Sequence, residues 1–405
     1  MKESEARHPS RSRAAIRLLA INLALLAAAL TGAELLLRAR AVPSSVRYSV
    51  YPANQIVTVT VDPNVTPGVV DDALFEINAV GTRGPLPSAA DRIRIVTIGG
   101  STTECFVLSL EESWPDLLGR ALSRDSGTRV WVGNIAHAGR TSRQHYFDAK
   151  YVVPQLGKVD FAILLVGVND LFNRMIQGRG FDPADVEALD AGGSYVREAL
   201  QIDDTREAGW RSLQLVARGR RLLEAARLLS PAARQVQRLL SHTLPEYYVT
   251  SREERAERQE TIDALPPMEA PLAEFDRNIS AIVRLLEERG TRPVLVTQPA
   301  LWRPDLTERE TSLLWLGSAE GWPPTRPGGP YYSVRAMMEM LGMYNDALRH
   351  LAARDGIELV DLAKLVPSDL LTFYDDVHFN ESGSRRVADA FARHFEERGL
   401  VTASR

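Results

Sequence analysis

The sequence predicts an α/β fold: a parallel β-sheet covered by helices on both faces, in a three-layer sandwich. Five apolar runs rich in β-branched residues, "RIRIVTIG", "RVWVGNI", "DFAILLVGV", "RPVLVTQ" and "IELVDL", recur between residues 92 and 362. Their near-continuous hydrophobicity is the habit of strands buried on both faces. Segments with apolar residues at helical spacing, such as "SRQHYFDAKYVVPQL" and "LAEFDRNISAIVRLLEERG", lie between the runs. Strands that alternate with helices close into a parallel sheet with helices above and below. At 405 residues, 45% hydrophobic and 25% charged, the chain is long enough to bury such a core.

The elements follow in chain order. Residues 1–17 form a basic leader carrying Lys2, Arg7, Arg11, Arg13 and Arg17, and residues 18–37, "LLAINLALLAAALTGAELLL", hold one charge, Glu34. Twenty such residues just span a bilayer core, and the basic flank stays on the cytoplasmic side. We expect an uncleaved anchor with the rest of the chain exported; a cleaved signal peptide, with "ARA" at 39–41 as its site, is the competing reading. A buried soluble helix suits an extreme terminus with a basic leader less well. Residues 38–91 are Pro- and Gly-rich, with a short alternating piece, "QIVTVTV", and a turn-like "INAVGTRGPLP". They read as a spacer with small strands.

The main domain is expected over 92–400, interrupted at 171–275 by about a hundred residues with no strong strand signal. There "WRSLQLVARGRRLLEAARLLSPAARQVQRLLSH" carries apolar residues at helical spacing with Arg211, Arg218, Arg220, Arg221, Arg227, Arg234 and Arg238 between them. A helical insertion follows, its arginines on a solvated face in preference to anionic headgroups. A formal net charge of −4 gives no electrostatic footprint for nucleic acid. The single cysteine, Cys105, forms no internal disulfide and excludes a Cys-based zinc site.

The first apolar run stops at Gly99 and Gly100, followed by Ser101 and Thr102. A serine at the tip of a buried strand, on a tight turn that starts a helix, stands where chemistry is often done. A hydroxyl becomes a nucleophile only when a base takes its proton and a third group orients the base. Of the seven histidines only His378, in "FYDDVHFNESGS", has a carboxylate, Asp375, three residues ahead on a turn before a helix opened by Asn380 or Ser382. Loops at the carboxyl ends of parallel strands are where such sheets place their sites. Two other strand ends offer donors for an oxyanion: Gly139 in "AHAGRTS" and the amide of Asn169 in "GVNDLF", with the N–H of Ser101 as the third.

Taken one at a time, these residues have plainer explanations: Ser101 as a helix cap, His378 as a satisfied buried histidine, Asn169–Asp170 as a turn. Their conjunction favours chemistry. Cys105 is the minor candidate nucleophile, and Asp375, Asp376 and His378 with His137 or His145 the minor candidate metal site, without any H-E-x-x-H spacing. No metal or other cofactor is expected, and "GGSTTE" lacks the lysine of a P-loop. Trp302, Trp315, Trp322, Tyr331 and Tyr332 crowd a loop-rich stretch that reads equally as a substrate flap or as a local core.

The sequence "GGST" at 99–102, Gly139, "GVND" at 167–170 and "DDVH" at 375–378 come in the order of the four blocks of the SGNH, or GDSL-like, hydrolase superfamily. The resemblance covers about 92–170 and 276–400, and its "INAVGTRG" and "GGSTTEC" are similar to bacterial, membrane-associated members. It implies a flavodoxin-like α/β/α sandwich with a five-stranded parallel sheet. It also implies Ser101 as nucleophile, Asp375 and His378 as the rest of a triad, and Ser101, Gly139 and Asn169 as the oxyanion hole. One departure is Gly100, where the family usually has aspartate. The expected function is a serine esterase that removes an O-acyl group, above all O-acetyl, from a cell-surface glycan or glycolipid. The alternatives are an O-acyltransferase and an inactive glycan-binding module. The expected place is the bacterial inner membrane, single-pass, with the catalytic domain outside the cytoplasm, or secretion after signal cleavage.

Overall fold

The computed structural model describes residues 10–40, 46–203, 244–321 and 328–401. Two compact units are distinguished, one containing the first helix and the other running over Ser44–Ile202 and Gln235–Arg405. The first helix, α1, spans Ser10–Arg40, and its stretch Arg17–Leu36 is long and apolar enough to cross a membrane, a test that a signal sequence also meets. Its leucines from Leu18 to Leu36 and Ile21 are exposed.

The second unit is built on five strands, β1 (Ile93–Gly99), β2 (Val130–Asn134), β3 (Phe161–Leu165), β4 (Arg292–Val296) and β5 (Glu358–Val360). All are parallel, in the spatial order β2-β1-β3-β4-β5. That is the flavodoxin-like order, and each strand lies inside a run expected from sequence. Consecutive residues of both parities, such as Ile95 and Val96 or Ile163 and Leu164, are fully buried, so both faces of the sheet are covered.

On one face, α3 (Trp114–Ser126) lies against the last helix, α9 (Glu381–Glu397), with Trp114 stacked on Phe391 at 4.9 Å. Helices α4 (Ser142–Phe147), α7 (Glu269–Glu287) and α8 (Val334–Asp355) pack together, with Phe275 of α7 edge-on to Tyr344 of α8 at 5.1 Å. Strand order reverses between β1 and β3, so the loops leaving them part and open a crevice at the carboxyl ends.

Two elements differ from expectation in detail. The helix that starts at Ser101, α2, is a single turn, Ser101–Glu104, because Cys105 turns left-handed at φ 54°. The longer α3 begins afresh at Trp114, with Pro115 in its first turn, where a missing N–H costs nothing. The helix expected over 142–156 is α only to Phe147, then widens and tightens through Val153–Leu156 around Pro154.

The segment expected as a spacer holds an antiparallel pair, Ile56–Val59 with Ala73–Glu76, and Val50, Val65 and Val69 enter the main core. In "INAVGTRG", Arg83 pairs its backbone with Asn134 at the edge of β2. Its buried guanidinium donates to the carbonyls of Glu104 (2.6 Å), Cys105 (2.8 Å) and Leu108. Three carbonyls of an irregular loop thus find donors away from water.

Within 171–275 the described residues give α5 (Val168–Gln177), short helices at Val186–Ala191 and Ser194–Ala199, and α6 (Leu244–Ala256). Two-residue strands also occur there, Gln201–Ile202 and Thr261–Ile262, too short to leave a periodic signal. The arginine-rich stretch 210–242 lies outside the described residues.

Replacing Arg83 by leucine orphans the three carbonyls. We expect a loss of about 3 kcal/mol in urea denaturation, the scale for breaking charged, buried hydrogen bonds; a loss under about 0.5 kcal/mol, the size of an ordinary surface change, contradicts this assignment.

Candidate active site

The turn after β1 is crowded by design of its neighbours. A side chain on Gly99 would meet the carbonyl oxygen of Leu165 at 2.6 Å, and a Cβ on Gly100 would lie 2.0 Å from the amide nitrogen of Asn169. Gly100 stands where the resembled family carries aspartate, and here the Asn169 amide lies against the position a side chain would take. Immediately after it, the first residue of α2 is Ser101.

The turn before α9 is closed by the Tyr374 N–H donating to the His378 carbonyl at 3.1 Å, and α9 is capped by Asn380, whose side chain accepts from Gly383 N–H. This hairpin folds Asp375 back on His378. Asp375 Oδ1 accepts the backbone N–H groups of Val377 (3.0 Å) and His378 (2.8 Å), and Oδ2 lies 2.7 Å from His378 Nδ1. The other ring nitrogen, His378 Nε2, is 2.7 Å from Ser101 Oγ. The structure thus brings Ser101, His378 and Asp375 together. Asp375 is 0% exposed. Burial pushes its carboxyl up, but the His378 imidazole and the hydrogen bonds outweigh that and leave it below the usual aspartate range.

The loops after β2 and β3 meet beside this turn. Gly139 is exposed and takes φ 76°, a left-handed turn that favours glycine. Asn169, in the first turn of α5, donates from Nδ2 to the carbonyl of Arg140 at 3.0 Å, which leaves the second amide hydrogen for another acceptor. Next to it, Asp170 accepts from Ser142 N–H (3.0 Å) and Ser142 Oγ (2.6 Å), and Asn278 of α7 donates to the same hydroxyl at 2.9 Å. Burial pushes the Asp170 carboxyl up to about 7 against these hydrogen bonds.

Two carboxylates have roles the sequence did not assign: Glu104 was not singled out, and Asp376 was named only as a minor candidate metal ligand. Glu104, one helical turn beyond Ser101, is buried and accepts the N–H of Ala138 at 3.1 Å, so α2 carries both the serine and a tie to the Gly139 loop. Asp376 accepts from Trp302 Nε1 (2.8 Å) and Trp315 N–H (2.7 Å). The only signals were helical spacing for Glu104 and adjacency to Asp375 for Asp376.

The alternative assignments fare differently. His145 binds Asp148 at 3.1 Å beside Arg140, and His137 holds the Ala138 carbonyl and stacks on Tyr51 at 4.5 Å, so neither joins Asp375 and Asp376. The Cys105 thiol is buried and pushed up to about 12, which removes the thiolate a cysteine nucleophile needs. Trp302, Trp315 and Tyr331 are buried and Tyr332 half-buried, with Trp302 and Trp315 part of the main core; Trp322 lies outside the described residues.

A family model described as GDSL-like lipase/acylhydrolase matches residues 97–386. No curated protein matches the chain. Solved structures similar to it include an α/β hydrolase from the metagenome of Lake Arreo, 16% identical over 76% of this chain and 96% of that one, at a TM-score of 0.39. Others are an acetylxylan esterase from Geobacillus stearothermophilus (13%, 75% and 94%, 0.37) and the lipase/acylhydrolase from Enterococcus faecalis (12%, 76% and 96%, 0.38).

Burial pushes the Glu104 carboxyl up to about 8, only partly offset by the Ala138 N–H. A group raised in the folded state contributes stability that is full below its ordinary value of 4.5 and is lost as pH rises through about 8. We expect the melting temperature to fall with pH across that window. Glu104→Gln, which keeps the acceptor without the charge, should flatten the upper part of the fall; an unchanged slope contradicts this.

Proposed function

Because this chain belongs to the GDSL-like lipase/acylhydrolase family, we propose that it cleaves its ester through an acyl-serine on Ser101. Membership itself makes it a serine ester hydrolase; the residue roles and the substrate are our reading. The observation that supports it is the 2.7 Å approach of His378 Nε2 to Ser101 Oγ, with Nδ1 of the same ring on the buried Asp375.

In this mechanism His378 Nε2 takes the Ser101 proton as Oγ attacks the ester carbonyl carbon. Asp375 keeps the proton on Nδ1, so that Nε2 faces the hydroxyl as an acceptor, and stabilises the imidazolium that forms. The carbonyl oxygen becomes an oxyanion facing the N–H groups of Ser101 and Gly139 and the free amide hydrogen of Asn169. Collapse breaks the C–O bond and the departing alcohol takes the proton from His378. Water then repeats the sequence on the acyl-serine, releasing the acid and restoring the hydroxyl.

The substrate class we propose is an O-acyl, above all O-acetyl, ester on a cell-surface glycan or glycolipid. The reading is supported by the family and by α1, which is apolar enough for a membrane span or a signal sequence. We read it as an anchor that holds the enzyme beside the envelope.

The test uses the full chain in detergent with p-nitrophenyl acetate and an acetylated glycan. Ser101→Ala and His378→Ala should each lose at least about 10³-fold in kcat, and Asn169→Ala about 10²- to 10³-fold. Equal rates in all variants contradict the triad. Acetyl transfer to an added glycan outrunning release to water would reassign the reaction to acyl transfer. For the anchor, the full chain should float with vesicles through a density gradient and a chain starting at Ser44 should not.

A further inference from the structure

We infer that Trp315 is a positioning residue for the triad: its indole N–H is a second donor to the Asp375 oxygen that orients His378, and Asp376 fixes it there. The inference rests on the roles proposed above for Ser101, His378 and Asp375. Trp315 Nε1 lies 3.0 Å from Asp375 Oδ2, the oxygen that His378 Nδ1 meets at 2.7 Å. The two ring planes differ by only 2°, with centroids 6.5 Å apart. Two flat donors with parallel ring planes therefore converge on one carboxylate oxygen.

A buried indole needs an acceptor, and a backbone carbonyl would serve. Here the acceptor is the triad carboxylate, and the tryptophan is held to it by the carboxylate next in sequence. Asp376 Oδ2 accepts the N–H of Trp315 at 2.7 Å and of Leu316 at 3.2 Å, while its Oδ1 accepts Trp302 Nε1 at 2.8 Å. The ring is boxed by Phe172, Tyr247 and Tyr248, each edge-on to it. Thus "DD" in "DDVH" divides its work: one carboxylate orients the histidine, and the other places the indole that steadies the first.

The second donor acts on the reaction in two ways. It stops the Asp375 carboxylate from rotating when His378 becomes an imidazolium, and it draws off charge that would otherwise be felt by the imidazole. The charged and titratable groups around the pair are Asp376 and Tyr374 on the same turn, Tyr247, Tyr248, Arg252 and Arg255 on α6, and Glu104 on α2.

The experiment is the pH dependence of kcat and kcat/KM for the full chain and for Trp315→Phe, with p-nitrophenyl acetate as substrate. We expect kcat to fall about tenfold, the scale of one hydrogen bond to a charged group, with KM little changed. The acid limb should also move to higher pH, because a carboxylate relieved of the indole holds more charge against the imidazole. A merely structural tryptophan would not move that limb. Should the phenylalanine variant fail to fold, 3-benzothienylalanine at position 315 keeps the ring shape and removes the donor, and the same shift is expected. Wild-type rate and limb in the variant that folds overturn the inference while leaving the triad intact. Full activity in Ser101→Ala, assayed alongside, removes the triad reading and this inference together.

Discussion

A single buried carboxylate, Asp375, imposes the arrangement around it. An unpaired charge away from water is so costly that the fold must surround it with donors. Four are present: two backbone N–H groups of its own turn, the imidazole of His378 and the indole of Trp315. Together they fix three pieces of chain: the two backbone N–H groups the hairpin before α9, the imidazole the histidine ring, and the indole the segment between β4 and α8. Turning His378 away would leave a buried oxygen short of its strongest partner. The ring is held facing Ser101 by the requirements of a group behind it.

The other half of the site is held by smaller ties between strand tips. The β2-β1-β3 order parts the loops after β1 and β3, and the polar contacts sew the loops that surround the crevice to one another. Asn169 reaches the Arg140 carbonyl, Asp170 reaches Ser142, Glu104 reaches the Ala138 N–H, and Arg83 holds the carbonyls behind α2. Individually each contributes on the order of 1 kcal/mol, but a lost partner leaves a buried group unsatisfied and costs more. Precision in the positions of Ser101, Gly139 and Asn169 thus comes from loops that share hydrogen bonds, on a sheet too tightly packed to shift.

Much of this was legible in sequence because it follows from local chemistry. Strands buried on both faces must read as continuous apolar runs, and all five did. The turn at Gly99–Gly100, the glycine at 139 beyond its strand and the three-residue step from Asp375 to His378 are likewise local. The missed residues act at long range. Trp315 stands 60 residues from Asp375 in sequence, so nothing near either of them announces the contact, and the aromatic crowd around it reads alike as flap or core. Arg83 resembled any turn arginine until the carbonyls it serves were placed around it. The single turn of α2 was missed because the left-handed step at Cys105, a non-glycine residue, has no compositional mark. Gly100, a departure from the family pattern, has the amide of Asn169 lying against it, a contact between residues 69 apart that nothing near either one announces.

The account's central claim is that one hydroxyl is set apart from every other in the chain by the imidazole and carboxylate behind it. Reaction with a fluorophosphonate followed by peptide mass spectrometry measures this directly, since the reagent marks only an activated serine. The account predicts one adduct, on Ser101, formed in the native protein and absent when His378 is replaced by alanine. An adduct on any other residue, or labelling of Ser101 that persists without His378, would contradict it.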